Sequence, residues 1–313
     1  MEQMLYLECF SGISGDMTVA ALLDLGADKD VLFEVLKSLP VQGFRIEINR
    51  VMKSGIDACD FNVILEENDN HDHDMEYLYG HMHGHLHDSS QDSGGYHNHG
   101  ENFHGHNHDH GERGKEKHAH HHDAASGHEH THEKNHTHPH IHRGMKEIRE
   151  IIINSSMKET AKEIALKIFS ILAEAESKAH HVPVEEVHFH EVGALDSIVD
   201  IISVAVCLDN LGITKAVTSE LWEGKGTVRC QHGILPVPVP ASANIMQAYA
   251  LPVQITDIIG ELVTPTGAAI VAAIRTTEAL PKKFTIKRIG LGAGKRKYEC
   301  PGLLRAMLIE ERK

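Results

Sequence analysis

Between positions 71 and 140 this sequence has no Val and no Ile, and its only Leu residues are Leu78 and Leu86. A stretch so poor in apolar side chains cannot bury enough area to offset the cost of ordering its backbone. Residues 68–143 therefore read as a disordered insertion, and whatever folds must do so from residues 1–67 and 144–313. Both flanking pieces carry good core patterning. The expected class is α/β, with mixed α+β as the alternative, built as two small αβ units on either side of the insertion.

The insertion is defined by histidine. All but five of the 28 His lie between His71 and His142. Most come as H-x-H runs: His81, His83, His85, His87; His104, His106, His108, His110; His118, His120, His121, His122; His136, His138, His140, His142. Several imidazoles on a flexible chain can wrap one ion, and imidazole suits Ni, Zn, Cu and Co. The interleaved Asp and Glu add oxygen ligands. Lacking fixed geometry, the segment reads as a metal buffer or donor rather than a catalytic centre. The competing reading is a low-complexity tract that binds metal only incidentally. Imidazole binds metal only when neutral, so capacity should fall below pH ~6.5.

The formal net charge of -15 argues against nucleic acid as a partner, which requires a basic face. The longest apolar runs, 198–208 and 268–274, are too short to span a bilayer of roughly 30 Å. The N-terminus has no basic region followed by a long apolar one, so no signal peptide is expected. Five Cys, an odd number with no C-x-x-C, fit free thiols in a reducing compartment. A cytoplasmic protein is expected, and a homo-oligomer is compatible with these features.

Residues 4–10 read as a strand, followed by the glycine loop Ser11, Gly12, Ile13, Ser14, Gly15 and a helix over 17–25 opened by Asp16. Strand, glycine loop and helix start make an anion cradle. On spacing alone the plainer reading, a tight turn with Asp16 as N-cap, is favoured. A short helix over 31–39 precedes two alternating stretches, 44–51 and 56–65, which read as a hairpin.

In the second piece, residues 145–154 are helical, and Ser156 with Glu159 reads as a capping box for a helix to about residue 178. His188 and His190 lie two apart, so on an extended chain both imidazoles face one way. The stretch 197–208 is apolar except at Asp200, Ser203 and Cys207. With Asp196 these fall at i, i+4, i+7 and i+11, one stripe of a helix. A buried Asp is costly without a partner, so His188, His190, Asp196 and Asp200 are expected to converge on a metal or a metal–phosphate ligand. The alternative leaves Asp196 as an N-cap and the His bonded to backbone.

Further on, residues 217–221 read as a strand, and the proline-rich 231–241 as an extended course leading to a helix over 243–249 capped by Ser242. Cys230 and His232 are spaced like a weak metal pair. Thr264, Thr266 and Gly267 precede a helix over 268–274 and suit either a phosphate or N-capping by Thr266. Gly290, Gly292 and Gly294, followed by Lys295, Arg296 and Lys297, read as a weak phosphate loop after a strand over 284–289.

Four motifs in order resemble the LarC family: Phe10-Ser11-Gly12-Ile13-Ser14-Gly15-Asp16-Met17, His188-Phe189-His190-Glu191-Val192-Gly193-Ala194-Leu195-Asp196-Ser197-Ile198-Val199-Asp200, His232-Gly233-Ile234-Leu235-Pro236-Val237-Pro238, and Glu261-Leu262-Val263-Thr264-Pro265-Thr266-Gly267. The resemblance implies a nickel chelatase, or cyclometallase. Nickel would enter between the two thiocarboxylates of an anionic substrate, pyridinium-3,5-bisthiocarboxylic acid mononucleotide, and bond to a ring carbon, making the cofactor of lactate racemase. It also implies use of CTP with Mn2+ or Mg2+ in a C-terminal domain that this sequence lacks, so a separate C-terminal part is the expected partner. Under this reading Ser11, Gly12, Ser14, Gly15, Asp16, Thr264, Thr266 and Gly267 hold the substrate, and His188, His190, Asp196 and Asp200 handle the nickel. The competing functional class is a non-catalytic nickel store or metallochaperone. A metal-dependent phosphoesterase fits less well, since no paired-metal carboxylate motif is present.

Overall fold

The computed structural model describes residues 3–65, 143–189, 195–230 and 232–312. The candidate ligands from His81 to His142 lie outside the described residues, as does His190.

One six-stranded sheet organises the described residues. Its strands are β1 (Gln3–Glu8), β2 (Phe44–Lys53), β3 (Ile56–Leu65), β6 (Ala216–Thr218), β11 (Phe284–Ala293) and β12 (Leu303–Glu311), in the order β2-β3-β11-β12-β1-β6. β2 and β3 form the expected hairpin; its two-residue turn places Ser54 and Gly55 at positive φ, as the twist of paired strands favours. β1 runs antiparallel to β12 and parallel to β6, while β11 pairs with β12 and with β3. The two flanking pieces of the sequence are therefore interleaved in a mixed α/β fold. The expectation of two small separate units is corrected, because β1 and β3 find their partners in β12 and β11, the last strands of the chain.

Alternation along the strands explains the layers. Leu5, Leu7, Leu304, Ala306 and Leu308 turn to one side and join the main core with Val19, Leu22, Phe61 and Phe169. Tyr6, Met307 and Ile309 turn to the other side and form a small cluster with Val217. On the main-core side, α1 (Gly15–Asp24) lies on β3, β11 and β12, and α5 (Leu195–Asn210) packs on α1. α2 (Lys29–Lys37) flanks α5. The long helix α4 (Glu159–His180) then packs on α5 and carries α3 (Met145–Ile153), α6 (Pro240–Ala248) and α7 (Pro265–Ile274). Among the described residues no helix is long and apolar enough to cross a membrane.

Three short strand pairs decorate this core: β4 (Arg143–Gly144) with β5 (His188–Phe189), β7 (Leu221–Lys225) with β10 (Val253–Ile259), and β8 (Thr227–Cys230) with β9 (Gly233–Pro236). The stretch read as one strand over 217–221 is thus two, β6 and β7, in different sheets.

Several local expectations change for physical reasons. α1 starts earlier than expected, with Ser14 as N-cap and Asp16 inside the first turn. α4 is capped at Lys158; the Ser156 hydroxyl instead hydrogen-bonds to Ser38 Oγ at 2.9 Å, so the capping box does not form. Pro240 opens α6, its fixed φ suiting a first helical position, and Ser242 sits inside the helix donating to the Val263 carbonyl. Thr264, not Thr266, caps α7 and accepts from the Gly267 N–H at 3.1 Å.

The glycine series 290–294 is the clearest revision. Gly290 and Gly292 lie within β11, on the side facing α1. A Cβ at 290 would overlap the Ala21 carbonyl, and one at 292 would overlap the Met17 carbonyl. These glycines let a helix backbone rest directly on a strand; they do not form a phosphate loop.

Candidate functional site

The first and last of the four motifs meet. Ile13 N–H donates to the Leu262 carbonyl at 3.0 Å, and Thr264 N–H donates back to Ile13 O at 3.1 Å. Gly12 adopts φ +81°, and a Cβ there would fall on the Leu262 carbonyl. A Cβ at Gly267 would collide with Ile13 O. The two loops read as separate anion cradles are stitched to each other, and their glycines serve that close approach.

A carboxylate sits at the start of α1. Asp200, one turn and a half into α5, lies against Gly15, where a Cβ would stand 2.7 Å from Asp200 Oδ2. The Asp16 N–H donates to this carboxylate. The anion that the helix start attracts is thus supplied by the protein itself. Asp200 Oδ1 is buried without a hydrogen-bond partner among the described residues, as is Ser203 Oγ on the next turn. Burial, helped by Asp16 and Asp196, pushes Asp200 well above the usual carboxylate range, while Lys295 opposes the shift.

The expected stripe exists. Asp196, Ser203 and Cys207 are buried on α5, and Asp196 lies in its first turn. Burial pushes the Cys207 thiol up to about 12, so it stays neutral near pH 7 and behaves as a small apolar group. His188 lies in β5, immediately before the residues that lead to α5. Opposite it in the antiparallel register stands Gly144, two residues beyond the histidine-rich segment. Arg143 and Gly144, the first described residues after that segment, therefore lie beside the start of the His188 motif.

Two groups at this site carried no clear sequence signal. Asp60 on β3 is half-buried; desolvation raises its pKa, Lys295 opposes that, and Asp16 adds to it. Asp16, Asp60, Asp200 and Lys295 thus share one electrostatic environment. Glu223 on β7 is fully buried. Its Oε1 accepts from Leu262 N–H at 2.7 Å, Gly224 N–H at 2.8 Å and Val263 N–H at 3.1 Å, while Oε2 has no partner among the described residues. Burial pushes it up to about 7 against the pull of these bonds. A lone acid between Trp222 and Gly224 gives no periodic signal; only its burial beside Leu221 marks it. The same loop is held from the other side by Arg296, which bonds Glu261 Oε2 at 2.8 Å, and by Tyr298, which donates to Glu261 O. Burial disfavours the Arg296 charge, yet Glu261 and Tyr298 together hold it above its ordinary value.

Among the described residues, no group of three or more His, Cys, Asp or Glu side chains is placed to hold a metal ion. The acidic cluster is therefore not a complete metal site by itself.

The family model for the nickel insertion protein matches residues 5–313. The chain belongs to the nickel insertion protein family. This is the LarC family that the four motifs resemble. A relative in this family from Alkaliphilus metalliredigens, named pyridinium-3,5-bisthiocarboxylic acid mononucleotide nickel insertion protein, is 47% identical over 311 residues, covering 99% of this chain and 61% of the relative. A putative nickel insertion protein from Geobacter sp. is 36% identical over 306 residues, 97% of this chain and 61% of that protein. A Staphylococcus epidermidis protein bearing the same name as the Alkaliphilus relative is 31% identical over 310 residues. The chain thus spans about three-fifths of the length of these nickel insertion proteins. No solved structure matches the chain.

Proposed function

We propose that this chain is the nickel-handling part of an enzyme that inserts Ni2+ into pyridinium-3,5-bisthiocarboxylic acid mononucleotide. The observation that carries this reading is the 47% identity, across 99% of the chain, to a protein named for that reaction. In the proposed division of labour the imidazoles of 71–142 collect the ion, and His188, His190, Asp196 and Asp200 receive and position it. The pairing of Gly144 with His188 supports a short transfer between the two.

The anionic mononucleotide is assigned to the interlocked loops, one carrying Ser11, Gly12, Ser14, Gly15 and Asp16 and the other Thr264, Thr266 and Gly267. Lys295, the cation offsetting Asp60 and Asp200, supplies positive charge there. When a ring carbon bonds to nickel its C–H bond breaks and one proton must leave. Asp200, whose Oδ1 has no hydrogen-bond partner among the described residues and whose proton affinity is raised by burial, is assigned as acceptor. CTP with Mn2+ or Mg2+ is assigned to the remaining two-fifths of the relatives' length, which this sequence does not span. Protein in the cytoplasm, without nucleic-acid or membrane partners, completes the reading.

The test is reconstitution: Ni2+, the thiolated mononucleotide, CTP with Mg2+ or Mn2+, and the C-terminal part of a relative, with nickel-loaded product read by mass spectrometry. Product is expected; none under any combination sinks the reading. A second reading, a non-catalytic nickel store, is favoured by the concentration of His in one segment. It is separated by removing 71–142: a store loses its whole function, whereas an insertion enzyme still turns over at high Ni2+.

A further inference from the structure

The sequence pairs His232 with Cys230, two residues away. The structure pairs it with another histidine. His232 lies in the two-residue turn between β8 and β9, and His180 is the last residue of α4. Their ring centroids are 5.0 Å apart with an interplanar angle of 40°. Glu176, one turn earlier on α4, places Oε2 3.4 Å from His180 Nε2. His232 is exposed and the His180 side chain is about one-third exposed.

Three features of this pair suit a metal ion. Metal–imidazole bonds of about 2.0–2.1 Å put the centroids of two imidazoles on one tetrahedral or octahedral ion roughly 4.5–5.2 Å apart. The observed spacing needs no rearrangement of backbone to meet that range. Glu176 stands where an outer carboxylate holds a ligating imidazole, accepting from one ring nitrogen so that the other presents its lone pair. The carboxyl end of α4 favours a nearby positive charge. Neither histidine has a part in the reading of the His188 motif.

The geometry points to a second metal-binding locus, in which His180 and His232 jointly ligate one borderline divalent cation such as Ni2+, with Glu176 orienting His180. Among the described residues His180 and His232 supply two ligands, and the site discriminates by imidazole chemistry against hard ions such as Mg2+. This locus rests on metal chemistry alone and stands whether or not the chain inserts nickel into a mononucleotide.

The experiment is residue-resolved imidazole footprinting with diethylpyrocarbonate on the full chain, titrated with Ni2+ past saturation of the 71–142 segment. Tandem mass spectrometry locates each modified histidine, and peptides from the segment report its own occupancy in the same digest. Ligation ties up the reactive lone pair, so modification of His180 and His232 should fall together, by about tenfold. His181, next in sequence, should keep its reactivity. In His180→Gln the protection of His232 should vanish, and in His232→Gln that of His180; circular dichroism checks that each variant is folded. Glu176→Gln should raise the Ni2+ concentration at half-protection. No protection, protection of one ring that survives loss of the other, or equal protection by Mg2+ overturns the proposal. Reconstitution of insertion plays no part in these readouts, so failure here and failure there are separate results.

Discussion

Glu223 and Asp200 are acids of opposite kinds, the first fully buried and the second half-buried with one buried carboxylate oxygen. Glu223 is structural: three N–H groups converge on one oxygen and hold the loop that carries Thr264. Its folded-state pKa, about 7, lies above the unfolded value. The folded state then binds more protons than the unfolded chain between roughly pH 4.5 and 7. Stability should accordingly fall as pH rises through that window and level off above it. Glu223→Gln keeps the acceptor and removes the buried charge. It should flatten this dependence and add on the order of 2 kcal/mol at pH 8, read by urea unfolding across pH; an unchanged slope would refute the assignment. Asp200→Asn should likewise leave stability at pH 8 equal or higher, since it removes a carboxylate charge disfavoured first by burial and then by Asp16. Nickel insertion in the reconstituted reaction should nevertheless fall about 100-fold or more if Asp200 is the base. The stripe of Asp196, Asp200, Ser203 and Cys207 was readable because a helix repeats every 3.6 residues. Glu223 and Asp60 were not, because an isolated acid in a strand leaves no pattern, and only the folded chain shows what surrounds it.

At the level of single elements, helices were legible and glycines were misread. α4 and α5 follow from apolar spacing, since one face of each must be covered. Caps were harder: Ser14 rather than Asp16 holds the N-cap position of α1, though its hydroxyl donates to Asp16 and caps no N–H, while Thr264 rather than Thr266 caps α7. Gly290 and Gly292 look like a ligand loop because they stand next to Lys295, Arg296 and Lys297, yet they form the seat of α1. A Gly292→Val variant forces a branched side chain against the Met17 carbonyl and should cost about 3 kcal/mol or more, as overpacking of a close contact does. Chemical denaturation measures it, and a loss below about 1 kcal/mol would contradict the close contact. His232 teaches the same lesson in reverse: its sequence neighbour Cys230 suggested a pair, whereas its ring meets His180 across the fold.

For the molecule as a whole, the proposed role of the histidine segment implies a pH-dependent capacity. Ni2+ uptake by the intact chain, followed by calorimetry, should be large above neutral pH and decline steeply below pH ~6.5 as imidazoles take protons; uptake that does not change between pH 8 and 5.5 would remove the segment from the account. Composition marks 68–143 as an insertion, but it gives no sign that the two flanks join. Antiparallel pairing of β1 with β12 links residues at opposite ends of the chain, and no local pattern announces so distant a partner. That pairing also dictates when the protein can fold. β1 precedes β12 by nearly the whole described sequence, yet β12 must lie along its edge. Until β12 is made one edge of β1 stays unpaired, and pairing between strands so far apart in sequence is expected to be slow. A message cut short before codon 303 would therefore yield no smaller working version, only a sheet with its middle missing.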